Sequence, residues 1–304
     1  MLTSKKVKEV AKKLGADLVG IADVNRFEGA PKQMDPRYIN PDAKVLIVLA
    51  LRIPRGTLRG IEEGTYFLSY SSQGYGSINM IYMPFILYHL ARFIEDYGYE
   101  ATPIPNDYYN WPAIDYATGK PKENWSCSVS PEKPAPDVFI HFRIAAYLAG
   151  LGEIGYSKLL LTPEFGPRQR FACILTDAPL EPDPIYEGPP ICDRCMLCVK
   201  ECSAGAISLK ETVKVRFKAI GTEVEWGKLN VDACTKGFQG LAPYKKYNPF
   251  IGELSSVIIY SRAIEGARGC IRACMIHLEK EGKLKNKFKE PFRKRKVWYI
   301  EWEK

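Results

Sequence analysis

The chain has 304 residues, 46% hydrophobic and 26% charged, with a formal net charge of +8. This is an ordinary globular composition, long enough to bury a sizeable core in one or two domains. No run of 18 apolar residues occurs, so a membrane-spanning helix is not expected. The opening Met-Leu-Thr-Ser-Lys-Lys carries neither an apolar signal region nor a twin arginine. Seven of the nine cysteines lie from Cys192 onward, which suits a reducing, cytoplasmic compartment better than a secreted disulfide framework.

In chain order, Ser4 is placed to cap a helix over residues 5–14, with Val7, Val10, Ala11 and Leu14 at helical spacing and Gly15 as its stop. Residues 17–23 read as a strand, and residues 44–51, a continuous apolar run, as a strand buried on both faces. A Pro- and Asp-rich loop at 30–43 joins them. Residues 60–82 interleave Gly and Ser with Tyr. They read either as a loop that lets a ligand approach the backbone while rings line it, or as a surface loop with buried Tyr anchors. Pro84 suits the first turn of a helix running to Tyr97, with Phe85, Tyr88 and 90–94 as apolar faces and Gly98 as its end. Tyr82 then stands at the mouth of that helix.

Residues 101–136 hold seven prolines with Trp111 and Trp125, a pattern of lids and binding loops. A helix from His141 runs into Gly150, Gly152 and Gly155. These form a Gly-x-Gly-x-x-Gly pattern, but it follows a helix rather than a strand, so a tight turn with close backbone approach is the better reading. Strands are expected over 156–167 and 170–177, a linker over 178–190, and a hairpin from 213–217 and 223–226. The expected class is α+β.

Cys192, Cys195, Cys198 and Cys202 stand in the spacing C-x2-C-x2-C-x3-C. That run points to a [4Fe–4S] cluster, whose fourth thiolate comes from further along the chain. Zinc sites favour two separated pairs instead. Ser203 replaces the usual Pro. Cys192, Cys195, Cys198 and Cys274 would form the first site, and Cys202, Cys234 and Cys270 the second. Seven thiols for eight places leave the second site as a [3Fe–4S] cluster, as one completed by Asp232 or His277, or as absent. Cys127, Cys173 and the three His read as packing residues. Residues 280–296 carry nine Lys/Arg against Glu281 and Glu290, nearly the whole charge excess. This segment is a solvated basic tail, a dock for an acidic electron donor, or an RNA contact.

The stretches 149–155, 160–168 and 175–183, with the Cys run after them, resemble the catalytic-domain signature of reductive dehalogenases and epoxyqueuosine reductases. The resemblance implies a nitroreductase-like cobalamin-binding α/β sandwich over residues 1–185. A ferredoxin-like iron–sulfur domain over 186–280 and the basic aromatic tail 281–304 would follow. It implies cobalamin contacts at Gly150, Gly152, Gly155, Thr162, Pro163 and Thr176. By the dehalogenase pattern, Tyr82 would be the proton donor and Arg143 its electrostatic support. The implied function is a reductase of a small organic substrate, fed by a low-potential donor such as ferredoxin or flavodoxin. A tRNA-modifying reductase of the epoxyqueuosine type and a non-catalytic electron-transfer or corrinoid-handling protein are the alternatives.

Overall fold

The computed structural model describes residues 1–106, 127–202, 204–238 and 269–297, with the backbone alone at 114–115, 120–121 and 235–238. Trp111, Trp125 and the aromatic end at 298–302 lie outside the described residues.

A four-stranded antiparallel sheet organises the first half. Its strands are β1 (Leu18–Asp23), β2 (Val45–Arg52), β3 (Ala101–Ile104) and β4 (Gln169–Thr176), in the spatial order β1-β2-β4-β3. Residue alternation divides it cleanly. Ile21, Ile47 and Ile174 lie in one row across three strands and face helices α1 (Ser4–Lys13) and α2 (Met83–Glu95). Leu46, Val48, Cys173 and Leu175 face the other way, onto α3 (Phe142–Leu148). Helices on both faces explain why β2 is a continuous apolar run: each of its residues from Val45 to Leu51 is buried.

Several local expectations are corrected. Thr3, not Ser4, caps α1, its hydroxyl accepting from the Lys6 amide at 3.3 Å. On α2 the buried stripe is Ile86, Leu87, Leu90, Ala91 and Ile94, while Phe85 and Tyr88 face outward. Residues 59–82 are not a loop. They wind through two short helices into wide π-type turns over Ser72–Tyr82 that run straight into α2. Pro84 lacks the amide that a tighter ladder there would use, and such turns gather at functional positions. The strand expected over 156–167 shrinks to Leu160–Leu161, paired with Glu153–Ile154, before a turn closed by Thr162 and Gly166.

The cysteine-rich half begins with a short helix α4 (Leu197–Lys200), continues through the hairpin β5 (Ile207–Phe217) and β6 (Thr222–Leu229), and resumes with α5 (Val231–Phe238) and α6 (Cys270–Lys280). The hairpin is longer than the sequence suggests, with Val215 opposite Val224. Ile271, Met275 and Leu278 of α6 belong to the same apolar core as Ile47 and Leu90, so the two halves share one interior.

The basic segment after α6 lies against the body. Leu284 and Phe292 are buried, and the amides of Lys285 and Asn286 donate to the Pro163 and Glu164 carbonyls. Lys285 pairs with Glu164, Arg295 with Glu63, and Arg293 with both Glu62 and Glu201. Glu62 also pairs with Arg272, at 2.8 Å, with both side chains under 10% exposed. Removing one partner of such a buried pair strands the other charge. Glu62→Gln is therefore expected to lower the unfolding free energy by about 3 kcal/mol in urea titrations.

Candidate functional site

Three structural devices bring the thiols together. First, the Cys192–Cys198 loop turns tightly on two left-handed residues, Arg194 (φ +55°) and Met196 (φ +60°), and α4 then fixes Cys198. Second, Cys270 and Cys274 stand one helical turn apart on α6, on the same face. Third, the glycine turn holds the loop from below. The Cys192 amide donates to the Glu153 carboxylate, and the Tyr156 amide donates to Cys192 Sγ at 3.4 Å.

As a result Cys192, Cys195, Cys198 and Cys274 line one small cavity, together with Tyr156 and His277. Burial pushes the Cys198 thiol up to about 12, and its neighbours Cys192 and Cys195 push in the same direction. Cys274 is also raised well above the usual thiol range, by burial and then by Cys192, Cys198 and Cys195. Packed thiols of this kind ionise only when a cationic centre compensates them.

The other three thiols form an adjoining set. Burial and then Cys234 raise Cys270 to about 12, Arg143 opposing, with Cys202 and Cys198 adding smaller increments. Cys234 in turn is raised by burial and by Cys202, again against Arg143. The Ala206 amide donates to Cys202 Sγ at 3.3 Å. His277 does not join this set. Its Nε2 meets Asp193 Oδ2 at 2.7 Å, and Asp193, Cys195 and His277 present their ligand atoms within 4.8 Å of one another. Burial raises Asp193, but hydrogen bonds from His277 and Lys283 outweigh it and hold the carboxyl at about 2.

Cys234 also lines a cavity of about 190 Å³ beneath the sheet, with Tyr75, His141, Arg143, Lys158 and Arg170. Among its described lining residues there is no carboxylate. Arg170 lies 4.0 Å from the Tyr75 ring centroid and donates to the buried Tyr70 hydroxyl at 2.9 Å. Arg143 Nη1 donates to the Lys158 carbonyl at 3.2 Å. His141 caps α3 through Nδ1, and burial, then Lys158 and Arg143, holds its ring well below the usual histidine range, so it stays neutral. Lys158 is lowered to about 8 by burial and then by Arg143.

The remaining expected residues lie elsewhere. Tyr82 is half exposed in a separate groove with Asp17, Arg52 and Phe85, and neither cavity lined by Arg143 or His141 includes it. The glycines serve the fold itself. A Cβ on Gly150 would sit 2.0 Å from the Pro184 carbonyl oxygen, and one on Gly152 1.9 Å from that of Leu161. Thr162 and Thr176 are fully buried, and their hydroxyls accept from the Phe165 and Ala178 amides. Pro163 receives the Lys285 amide on its carbonyl. Sequence reading singled out the Tyr-rich stretch but not Tyr75, and it passed over Lys158 and Arg170. Their one signal was a cationic residue beside the glycine turn and another at the start of a buried strand.

No family model matches the chain. Tetrachloroethene reductive dehalogenase of Desulfitobacterium hafniense is 46% identical over 72 residues, covering 23% of this chain and 13% of the relative. Epoxyqueuosine reductase of Listeria monocytogenes is 37% identical over 59 residues, 19% of this chain and 15% of the relative. The chain thus spans about an eighth of the curated dehalogenases it matches. Among solved structures, a catabolic reductive dehalogenase in complex with 3-bromo-4-hydroxybenzoic acid aligns over 92% of this chain and 36% of its own. Its TM-score is 0.54 at 22% identity. A selenomethionine-labelled epoxyqueuosine reductase aligns over 98% and 67%, with a TM-score of 0.50 at 16% identity. Both kinds of match are to reductive dehalogenases and epoxyqueuosine reductases: the sequence likeness is confined to one stretch of the chain, and the structural likeness is one of fold. These relatives are oxidoreductases. Among the described residues no helix is long and apolar enough to cross a membrane.

The depressed Lys158 gives a pH signature. Its folded value of about 8 lies below the ordinary lysine value of 10.5, so between the two the unfolded chain holds the extra proton and stability rises with pH. Lys158→Met removes that contribution. The variant is expected to be the more stable protein at pH 7, its advantage shrinking as pH rises through 8 to 10 in urea unfolding curves.

Proposed function

We propose that the chain is an iron–sulfur reductase acting on a small organic substrate. The observation that carries this reading is the gathering of seven thiols into two adjoining sets, the second of which opens through Cys234 onto a cavity walled by cations. The donor chemistry fits clusters: four thiols line one small cavity, and backbone amides donate to Cys192 and Cys202 sulfurs. Cys192, Cys195, Cys198 and Cys274 would hold a [4Fe–4S] cluster. Cys202, Cys234 and Cys270 would hold the second, and three thiols suit a [3Fe–4S] centre or one completed by a non-cysteine ligand. Such clusters supply single electrons, delivered here by a low-potential donor of the ferredoxin or flavodoxin kind.

The chain's own groups bind and protonate. Arg143 and Arg170 supply positive potential to the cavity, which favours an electron-rich or developing anionic substrate. Tyr75, under the Arg170 guanidinium, is placed to donate a proton from its phenol, since a neighbouring cation eases ionisation. Tyr82 opens on another groove, so the donor role expected there passes to Tyr75, with Arg143 kept as the supporting charge.

Among the described residues no cavity encloses a whole cobalamin. The cavities at this seam measure about 190 and 440 Å³. They are of a size for drug-like ligands or smaller, not for a whole macrocycle with its nucleotide tail. No step is therefore derived through a corrinoid. The small-molecule reading is preferred to the tRNA one because four of the nine cations at 280–296, Lys283, Lys285, Arg293 and Arg295, pair with acids on the body.

Two experiments test the proposal. Protein purified anaerobically should carry about seven or eight irons with a broad visible band, Cys274→Ser about four fewer, and Cys234→Ser a loss confined to the second set. Iron near zero in the wild type would sink it, and one cobalt retained after incubation with cobalamin would overturn the corrinoid exclusion. In turnover with a reduced viologen and halogenated phenols, Tyr75→Phe should cut kcat by about 10²-fold while Tyr82→Phe stays within about twofold. The reverse order would return the role to Tyr82.

A further inference from the structure

A second cavity, of about 440 Å³, lies outside the cationic one and shares with it the His141 and Lys158 wall. It is closed on one side by the loop from Phe27 to Met34 and on the other by the hairpin β5–β6. Apolar side chains dominate it: Phe27, Met34, Ile144, Val213, Val215 and Trp226. Its volume falls in the range that encloses most of a drug-sized molecule. Neither the cysteine sets nor the proposed proton transfer uses it.

Lys158 is its unusual feature. The residue has φ +61°, a left-handed conformation that L side chains with a Cβ rarely adopt. Gly or Asn is the ordinary occupant of such a position. A lysine in so disfavoured a backbone conformation points to use of its side chain. Its ammonium lies 5.2 Å from the Trp226 ring centroid, at the apolar wall. Among the described residues no carboxylate lies within ion-pair distance of it. The other charged residues lining the cavity are Glu28, Arg216 and Lys228, and Lys228 is taken up by Glu211 at 2.6 Å. The described lining is thus an apolar chamber with an excess of positive charge and one cation set into its inner wall.

We propose that this chamber binds an apolar monocarboxylate, its ring or chain packed between Ile144, Val215 and Trp226 and its carboxylate paired with Lys158. An acid would supply the counter-charge that the chamber lacks, while a neutral molecule of the same shape would gain only the apolar contacts. The proposal does not depend on the redox reading, because binding is read without turnover.

The test is calorimetric titration of the full-length, anaerobically purified chain with 2-naphthoate and, as neutral isostere, 2-naphthalenemethanol. The wild type is expected to prefer the acid by about tenfold or more, the size of a charge-assisted contact. Lys158→Met should abolish that preference while leaving alcohol binding unchanged. Val215→Trp should exclude both ligands by filling the chamber. Lys158→Gly, suited to φ +61°, should lose the preference and melt no lower than the wild type, which separates loss of binding from loss of fold. Iron content should be the same in all four proteins. No acid binding by the wild type, equal binding by Lys158→Met, or displacement of naphthoate by cobalamin would each overturn the proposal.

Discussion

One buried carboxylate ties the molecule together. Glu62, just before the Tyr-rich turns, holds Arg272 of α6 and Arg293 of the C-terminal segment. Arg272 lies between Cys270 and Cys274, and Arg293 also grips Glu201, the neighbour of Cys202. A single anion thus fixes the helix that contributes to both thiol sets, the segment that covers it and the end of the Cys run. Burying these charges is costly, and mutual pairing is what makes it tolerable. The return is geometric: three chain segments far apart in sequence are held in one register.

The glycine turn works on the opposite side of the thiols. Its close approaches to Pro184 and Leu161 leave no room for side chains. This lets Glu153 and Tyr156 reach the Cys192 backbone and sulfur. The same turn leads into Lys158 and sits directly after α3, which carries Arg143. Thiol placement and cation placement are therefore consequences of one short stretch of backbone. That coupling gives a physical reason for so many glycines where a nucleotide-binding motif might otherwise be sought.

The electrostatic character of the interior follows from burial. His141 is kept neutral and Lys158 is pressed towards neutrality, while Arg143 and Arg170 keep their charge, as guanidinium groups do. Beside them lie thiols raised by burial and by one another. Cations and sulfur ligands share the seam, and no described carboxylate lines its inner cavity to discharge it. Such a place suits an anionic ligand.

Much of this was legible in the chain. The apolar run at 45–51 fixed a strand buried on both faces, and the period of α1 fixed its core side, because both signals are local. The Cys spacing pointed to thiols that work as a group, and Cys192, Cys195, Cys198 and Cys274 do line one cavity. Tertiary structure decided the rest. That Tyr75 faces the cations and Tyr82 does not depends on π-type turns, whose period no helical or strand pattern encodes. That Lys283, Lys285, Arg293 and Arg295 of the basic segment are held against the body depends on acids more than 80 residues away in sequence. Local sequence sets period and ligand type; which side chains share a cavity is settled by contacts between segments the sequence keeps apart.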